Sequence, residues 1–271
     1  MEISWENGTT QTLAEQGSGR LCEIYHENTK LSAFHAQQIA GQFAVAPFDL
    51  FVTSRGFRQY SHAQRIALPE SEVGANINLR ELLNRRRSSR EVSREIELSK
   101  LASLLQMSLG PTNVTKNTEF GVSQVLRAWP SAGGLYPIDF YVVVQRVHGL
   151  EPGLYHYNFL THELERRSAR HPHEILTEGF FWQDFATEAA LCMLFVAPLE
   201  RSLCKYGDRG YRLVLLDAGH AAQNVLLTAE HLGLRATAVG GFDDDGLAAD
   251  LGLDGIEEIV VHALVLGGSD E

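Results

Sequence analysis

Residues 204–234 read CKYGDRGYRLVLLDAGHAAQNVLLTAEHLGL, and the spacing of their apolar residues decides the fold. Tyr211, Leu215, Ala218, Ala222, Val225, Ala229 and Leu232 recur in alternating steps of four and three, the signature of one helical face. Leu213, Leu216 and Leu227 form a second row that widens this face, so the spacing predicts a central helix covered by several neighbours. At about 1.5 Å per residue such a helix runs about 40 Å, close to the width of a domain. Gly233 supplies the stop. Lys205 and Tyr206 stand at the mouth of this element, two titratable side chains on a rigid support. Their bland reading is a surface cation and a core anchor; their functional reading is acid–base chemistry.

A chain of 271 residues is near the upper limit for one hydrophobic core, so one large domain, with or without an arm, is expected. With 44% hydrophobic and 21% charged residues, the composition excludes a disordered chain and a membrane protein. No run approaches the roughly 18 apolar residues of a spanning helix. The opening MEISWENGTTQTLAEQG has neither a basic nor an apolar signal region, and a cytoplasmic setting is expected. A net charge of −11 argues against nucleic acid as a partner. Three separated cysteines, Cys22, Cys192 and Cys204, make neither a disulfide framework nor a zinc site. His171-Pro172-His173-Glu174 reads as a surface turn, and no metal site is expected.

Residues 1–75 read as an N-terminal arm or subdomain with one helix, about Lys30 to Phe43, and residues 76–271 as the main domain. Asn78 caps a short helix, LRELLNRRR, that runs into Ser88-Ser89-Arg90. The cluster Arg85, Arg86, Arg87, Ser88, Ser89, Arg90 is either a solvated helix end, where cations favour the dipole, or an oxyanion clamp. Ser99 caps a helix that Gly110-Pro111 stops, and the polar segment onward to Ala128 is expected to loop over the surface. Pro130-Ser131-Ala132-Gly133-Gly134-Leu135-Tyr136-Pro137 then precedes a strand, DFYVVVQRV. Its glycines either let a flat ligand approach the backbone or simply make a turn. GLYHYN and residues 163–167 read as a hairpin, Pro172 to Glu188 as helices, and Ala190 to Val196 as a buried strand. After the central helix come a strand at 236–239, a helix at 244–251 and a last strand at 256–266. This order lacks βαβ alternation, and an α+β sandwich is expected. Dinucleotide, P-loop and G-x-S-x-G signatures are absent.

R-R-R-S-S-R, P-S-A-G-G-L-Y-P, K-Y-G-D-R-G-Y-R, G-H-A-A-Q-N-V-L-L and A-V-G-G-F-D-D occur in that order between about residues 78 and 267. Together they resemble the SagB-type dehydrogenases, the azoline oxidases (microcin B17 type among them) within the FMN-dependent nitroreductase superfamily. Tyr25 to Lys30, YHENTK, looks like the leading segment of the same family. The resemblance implies a nitroreductase-like α+β fold, a central mixed sheet flanked by helices, and a homodimer with FMN at the subunit interface. It implies oxidation of peptide thiazolines or oxazolines to thiazoles or oxazoles, the electrons passing to dioxygen. A cyclodehydratase and a docking protein are the partners it implies.

By this resemblance Arg86, Arg87, Ser88 and Arg90 grip the FMN phosphate and ribityl, and Pro130, Ser131, Ala132 and Gly133 lie near the isoalloxazine. Val239, Gly240 and Gly241 offer amides to the flavin N5 edge, and Lys205 and Tyr206 are the catalytic pair. Partial desolvation beside the cations Arg209 and Arg212 is expected to lower the lysine's pKa. The final LVLGGSDE lacks the basic residue that many nitroreductases use on the phosphate, so the arginine cluster or another, unidentified residue is expected to hold it. Asp217, His220 and Asn224 share a helical face and read as a core polar network rather than a proton relay. Two other functions use the same fold: an NAD(P)H-dependent nitro- or quinone reductase, and a non-catalytic scaffold of a peptide-modifying complex.

Overall fold

The computed structural model describes residues 20–31, 57–71, 78–117, 122–167 and 170–269. Beyond Leu31 the helix expected at 30–43 lies outside them. A seven-stranded sheet divides the molecule. It is assembled from β1 (Arg65–Ala67), β5 (Asp139–Val144), β7 (Gly153–Asn158), β8 (Glu163–Arg167), β9 (Leu191–Pro198), β10 (Leu234–Val239) and β11 (Glu258–Gly268). Their order is β1-β8-β7-β5-β9-β11-β10. Every neighbouring pair in it is antiparallel, where a mixed sheet was expected. The reason is connectivity. β7 and β8 fold back through a tight turn, where the Asn158 side chain accepts the Leu160 and Thr161 amides. β10 returns along β11 through one short helix, and β11 fills the gap beside β9. Leu191 to Val196 are all buried because both sheet faces are covered, hence the unalternating ALCMLFV.

Helices flank both faces, giving the α+β class expected from the order of elements. One face carries α3 (Leu98–Leu109) and α7 (Gly210–His231); the other carries α4 (Pro172–Gly179), α5 (Asp184–Thr187) and α8 (Asp244–Leu251). Of the elements before α3, α1 spans Leu21–Asn28 and α2 spans Leu79–Arg85, with β2 (Ile96–Glu97) between α2 and α3 and paired in parallel with β6 (Val147–His148). The Asn78 side chain accepts the Glu81 amide at 3.0 Å, so the expected cap of α2 is present. The α3 helix starts at Leu98 on an uncapped Glu97, ahead of the expected Ser99.

The stretch read as a surface loop is instead a hairpin, β3 (Pro111–Asn117) against β4 (Val122–Arg127). Its β-branched residues, Thr112, Val114, Thr115, Val122 and Val125, favour strands despite the polarity between them. The last strand starts two residues later than read. The Asp254 carboxylate accepts the amides of Ile256, Glu257 and Glu258, holding them in a turn.

Central helix α7 covers its apolar pattern to within one residue, with Leu232 as its C-cap, and its 22 residues fall short of the expected length of about 40 Å. A separate helix, α6 (Glu200–Tyr206), carries the Lys-Tyr pair, and a 3-10 turn at Gly207–Arg209 divides the two. Gly207 makes that break with φ 54° and ψ −151°, a conformation open essentially to glycine alone. Val214, Ala218, Ala221, Ala222, Val225 and Ala229 face the core, small enough to let the helix lie close to the sheet. Leu215 and Leu216 remain 43% and 57% exposed, because α7 is covered on one side rather than all round.

Parts of the segment before residue 76 are built into this body. β1 adds the sheet's edge strand, with Arg65 opposite Glu165. The Tyr60 hydroxyl lies 2.6 Å from that of Tyr141, and the Tyr60 amide donates to Glu165. Arg58 pairs with Glu258 and reaches Asp139 at 3.4 Å, while Arg201 grips Asp139 with two bonds of 2.7 and 3.0 Å. Burial would raise the Asp139 carboxyl, but Arg201, His156 and Arg58 outweigh it and hold the group below its ordinary range.

Asp139→Ala should therefore destabilise by about 3–5 kcal/mol in urea unfolding, since two cations lose a buried counter-charge. The carboxyl's contribution should be complete above its unfolded pKa of about 3.9 and be lost as pH falls through the lower folded value.

Candidate functional site

Two of the sequence motifs meet at one glycine. Gly133 sits in the left-handed region at φ 63°, and a β-carbon added there would lie 2.5 Å from Lys205 Nζ and 2.6 Å from the Tyr206 hydroxyl. Real side chains essentially never approach so closely, so a β-carbon here would displace the ends of this pair, and the positive φ itself favours glycine. Lys205 Nζ stands 5.3 Å from the Tyr206 ring centroid. α6 ends on these residues, and Gly207 turns the chain away at once.

The turn under the pair is held from several sides. The Tyr136 amide donates to Ser131 Oγ at 2.8 Å, and the Gly134 amide to the Ser131 carbonyl at 3.0 Å. From α7, Asp217 accepts the Ala132 amide at 3.4 Å. From β4, the Gln124 side chain donates to the Gly134 carbonyl at 2.6 Å. Gln124 was missed because it lay in the stretch taken for a loop; the flanking valines were the available signal. Asn224 donates to the Ala128 carbonyl at 3.0 Å, at the entry to the turn, whereas His220 is exposed. The polar face of α7 is thus two structural anchors and one solvated histidine.

Burial is the main cause that lowers the Lys205 ammonium below the ordinary lysine range, with the Cys204 thiol opposing it. Of the two expected causes, desolvation is the one found, and Arg209 and Arg212 are engaged elsewhere. Arg209 donates to the Thr29 carbonyl, and Arg212 to the Thr29 hydroxyl and the His26 carbonyl. Tyr25 packs edge-on against Tyr211 at 5.8 Å and donates to the Asp208 carbonyl. YHENTK and KYGDRGYR, far apart in sequence, are therefore two sides of one joint between α1 and the head of α7. Burial raises the Tyr206 phenol, and the charge of Asp217 raises it further.

The remaining candidates lie on two segments, one beside β10 and one just beyond it. The Ser89 amide donates to the Ala236 carbonyl, which lays the Arg-Ser stretch along this strand. Ser88 and Arg90 are exposed, Arg86 is half-buried, and Arg90 lies 5.1 Å over the Phe185 ring. Arg87 is partly engaged: it donates to the Asn84 and Arg86 carbonyls at 2.8 Å each, the helix-end role. Val239 is buried; Gly240 and Gly241 are exposed, and a side chain on Gly240 would meet only open space. Gln183 donates to the Gly241 carbonyl at 2.8 Å and steadies this loop, a contact without a sequence signal. One half of the candidate set is thus built on α6 and α7, the other on β10. Guanidinium and hydroxyl groups that suit a phosphate, and bare glycine backbone that suits a flat ring, are chemically what a flavin mononucleotide needs.

Residues 83–268 match the model of the nitroreductase family. The chain belongs to that family. Proteins of the nitroreductase family typically bind FMN. A provisionally named nitroreductase of Methanocaldococcus jannaschii is 37% identical over 181 residues, covering 66% of this chain and 85% of its own. The trifolitoxin-processing protein TfxB of Rhizobium leguminosarum is 29% identical over 64% of this chain, and the microcin B17-processing protein McbC of Escherichia coli 31% identical over 48%. These matches span 47% and 50% of the two processing proteins. A nitroreductase structure from Anabaena variabilis, also provisionally named, superposes with a TM-score of 0.70 at 30% identity, over 90% of this chain and 45% of that one. The structure of the E. coli McbBCD microcin synthetase with truncated pro-MccB17 superposes at 0.55, over 99% of this chain and 100% of that one; at 18% identity this is a likeness of fold. Among the described residues no helix is long and apolar enough to cross a membrane.

Reductive 13C-methylation should show Lys205 titrating below the usual lysine value of about 10.4. Gly133→Ala should push the amine toward solvent and return its titration toward that value, read from the same NMR signal.

Proposed function

We propose that this nitroreductase-family protein is an FMN-dependent dehydrogenase that oxidises thiazoline or oxazoline rings in a peptide, or in a carrier-bound intermediate, to thiazoles or oxazoles. The observation that carries this reading is the half-buried Lys205–Tyr206 pair closed down on the bare backbone of Gly133. Aromatising an azoline removes a hydride and a proton. When bound, FMN supplies the hydride acceptor and passes the two electrons to dioxygen. Lys205, held below the ordinary lysine range by burial, takes the ring proton as general base. Tyr206, kept as a neutral phenol, donates a hydrogen bond that orients the ring.

In this reading Arg86, Arg87, Ser88 and Arg90 hold the phosphate and ribityl, and Pro130, Ser131, Ala132 and Gly133 lie along the ring. Val239, Gly240 and Gly241 present amides to its N5 edge, where they stabilise developing negative charge. The functional unit is a homodimer, for which exposed Leu215 and Leu216 supply apolar surface on α7. A cyclodehydratase and a docking protein deliver the azoline in the cytoplasm. Likeness to McbC and TfxB, both named for processing peptides, supports this class of substrate.

The M. jannaschii relative's name favours a second reading, an NAD(P)H-dependent nitro- or quinone reductase. A ping-pong reductase needs an open flavin face and no base for substrate, so the two readings separate cleanly. Lys205→Ala should purify as a yellow, FMN-loaded dimer with azole formation reduced at least a hundredfold. Wild-type turnover by this variant would remove Lys205 from the chemistry. Rapid anaerobic bleaching of the flavin by NAD(P)H would favour the reductase, and colourless purified protein would favour a scaffold.

A further inference from the structure

The turn between α4 and α5 holds two large apolar side chains in water. Phe181 is 59% exposed and Trp182 73%. Both have left-handed backbone, φ 50° and 60°, which costs any residue that carries a β-carbon. The Trp182 amide donates to the Thr177 carbonyl at 2.9 Å and the Phe181 amide to the Glu178 carbonyl at 3.2 Å, the two bonds that close α4 as a Schellman motif. Phe181 stands where that motif usually has glycine. Glycine would close α4 at lower cost and leave no ring in water, so the turn alone accounts for neither aromatic. Its surroundings are the candidate cofactor segments. Gln183, the next residue, donates to the Gly241 carbonyl at 2.8 Å, and the Asp243 amide donates to the Gly179 carbonyl at 2.8 Å. Arg90 lies 5.1 Å over the Phe185 ring. Residues 179–185 are thus tied both to the Gly240–Gly241 loop and to the Arg-Ser stretch. Backbone strain kept beside such a site points to a role for the strained side chain. Trp182, the more exposed of the two, adjoins the Gln183 that grips the loop.

We propose that Trp182 is a specificity-determining residue: its indole flanks the approach to the Gly240–Gly241 loop and stacks on a planar heterocycle of the substrate peptide. Indole suits this task, with a broad apolar face and few torsions to freeze. The strained turn fixes where that face lies, so less freedom is lost when a ring settles on it. The turn is continuous with the loop at which the ring to be oxidised must arrive, and this continuity selects the substrate as the occupant. The inference deepens the azoline-oxidase reading and rests on it for the identity of the ring.

The test uses FMN-loaded protein, a synthetic thiazoline peptide as substrate, and the matching thiazole peptide as a probe that is not oxidised. Trp182→Ala should raise KM for the first and Kd for the second about tenfold, as the loss of one stacked ring does, with kcat within about twofold of wild type. Trp182→Phe should restore most of the affinity. Trp182→Gly relieves the backbone strain, so it should weaken binding as much as the alanine variant while keeping the wild-type Tm. An unchanged Kd for the thiazole peptide in Trp182→Ala overturns the proposal. A Tm for Trp182→Gly more than about 4 °C below wild type overturns it too, by making the ring a packing residue. Loss of the dimer in Trp182→Ala, read by light scattering, overturns it by assigning the ring to a second copy of the chain. Wild-type oxidation of the thiazoline peptide with KM unchanged in Trp182→Ala refutes this inference alone. A wild type that binds the thiazole peptide through Trp182 yet oxidises no thiazoline refutes the functional reading and leaves the stacking residue in place.

Discussion

The site depends on contact between a backbone with no side chain and the ends of two long ones. At Gly133 a methyl group would displace the lysine amine and the tyrosine hydroxyl, and the φ of 63° is one that L-residues rarely adopt. Close contact and backbone conformation thus favour the same residue. A lysine this close to packed backbone loses part of its hydration, and the loss disfavours its charged form. The geometry that closes the site is therefore also what tunes its amine.

Rigidity behind that contact comes from how the Lys-Tyr pair is mounted. α6 presents both side chains at its last turn, and Gly207 ends it before a longer helix could carry them apart. α7 then starts under the grip of α1, through Tyr25, Thr29 and the two arginines. On the sheet side Arg201, at the start of α6, is tied to buried Asp139 at the start of β5. Removing either partner would strand a charge in a dry environment, so the pair specifies one docking geometry rather than merely adding attraction. β5 is the strand that follows the Gly133 turn, so the same ion pair bears on both halves of the contact.

Much of this organisation was legible from residue patterns. The apolar run ALCMLFV announces a strand covered on both faces, Asn78 announces a helix start, and alternating steps of three and four announce α7. The readings that failed share a cause. The length of about 40 Å expected of the central helix ignored how Gly207 turns the backbone ahead of it, and the predicted apolar face included Leu215, which is left partly in water. The β3–β4 hairpin was hidden because polar and β-branched residues alternate in it, and composition suggested a loop. Arg209 and Arg212 were assigned to the lysine because they are its neighbours in sequence, yet their guanidinium groups reach a helix about 180 residues away.

The sequence by itself determined the α+β class, the family, and which short motifs hold groups capable of chemistry, because periodicity and residue type are local properties. Only the tertiary structure decided that Lys205 and Tyr206 end on Gly133, that Asp217 holds the turn beneath them, and that the sheet is antiparallel throughout. Each of these is a meeting of segments distant along the chain, and burial, which shifts the lysine and the phenol, exists only once those segments have packed.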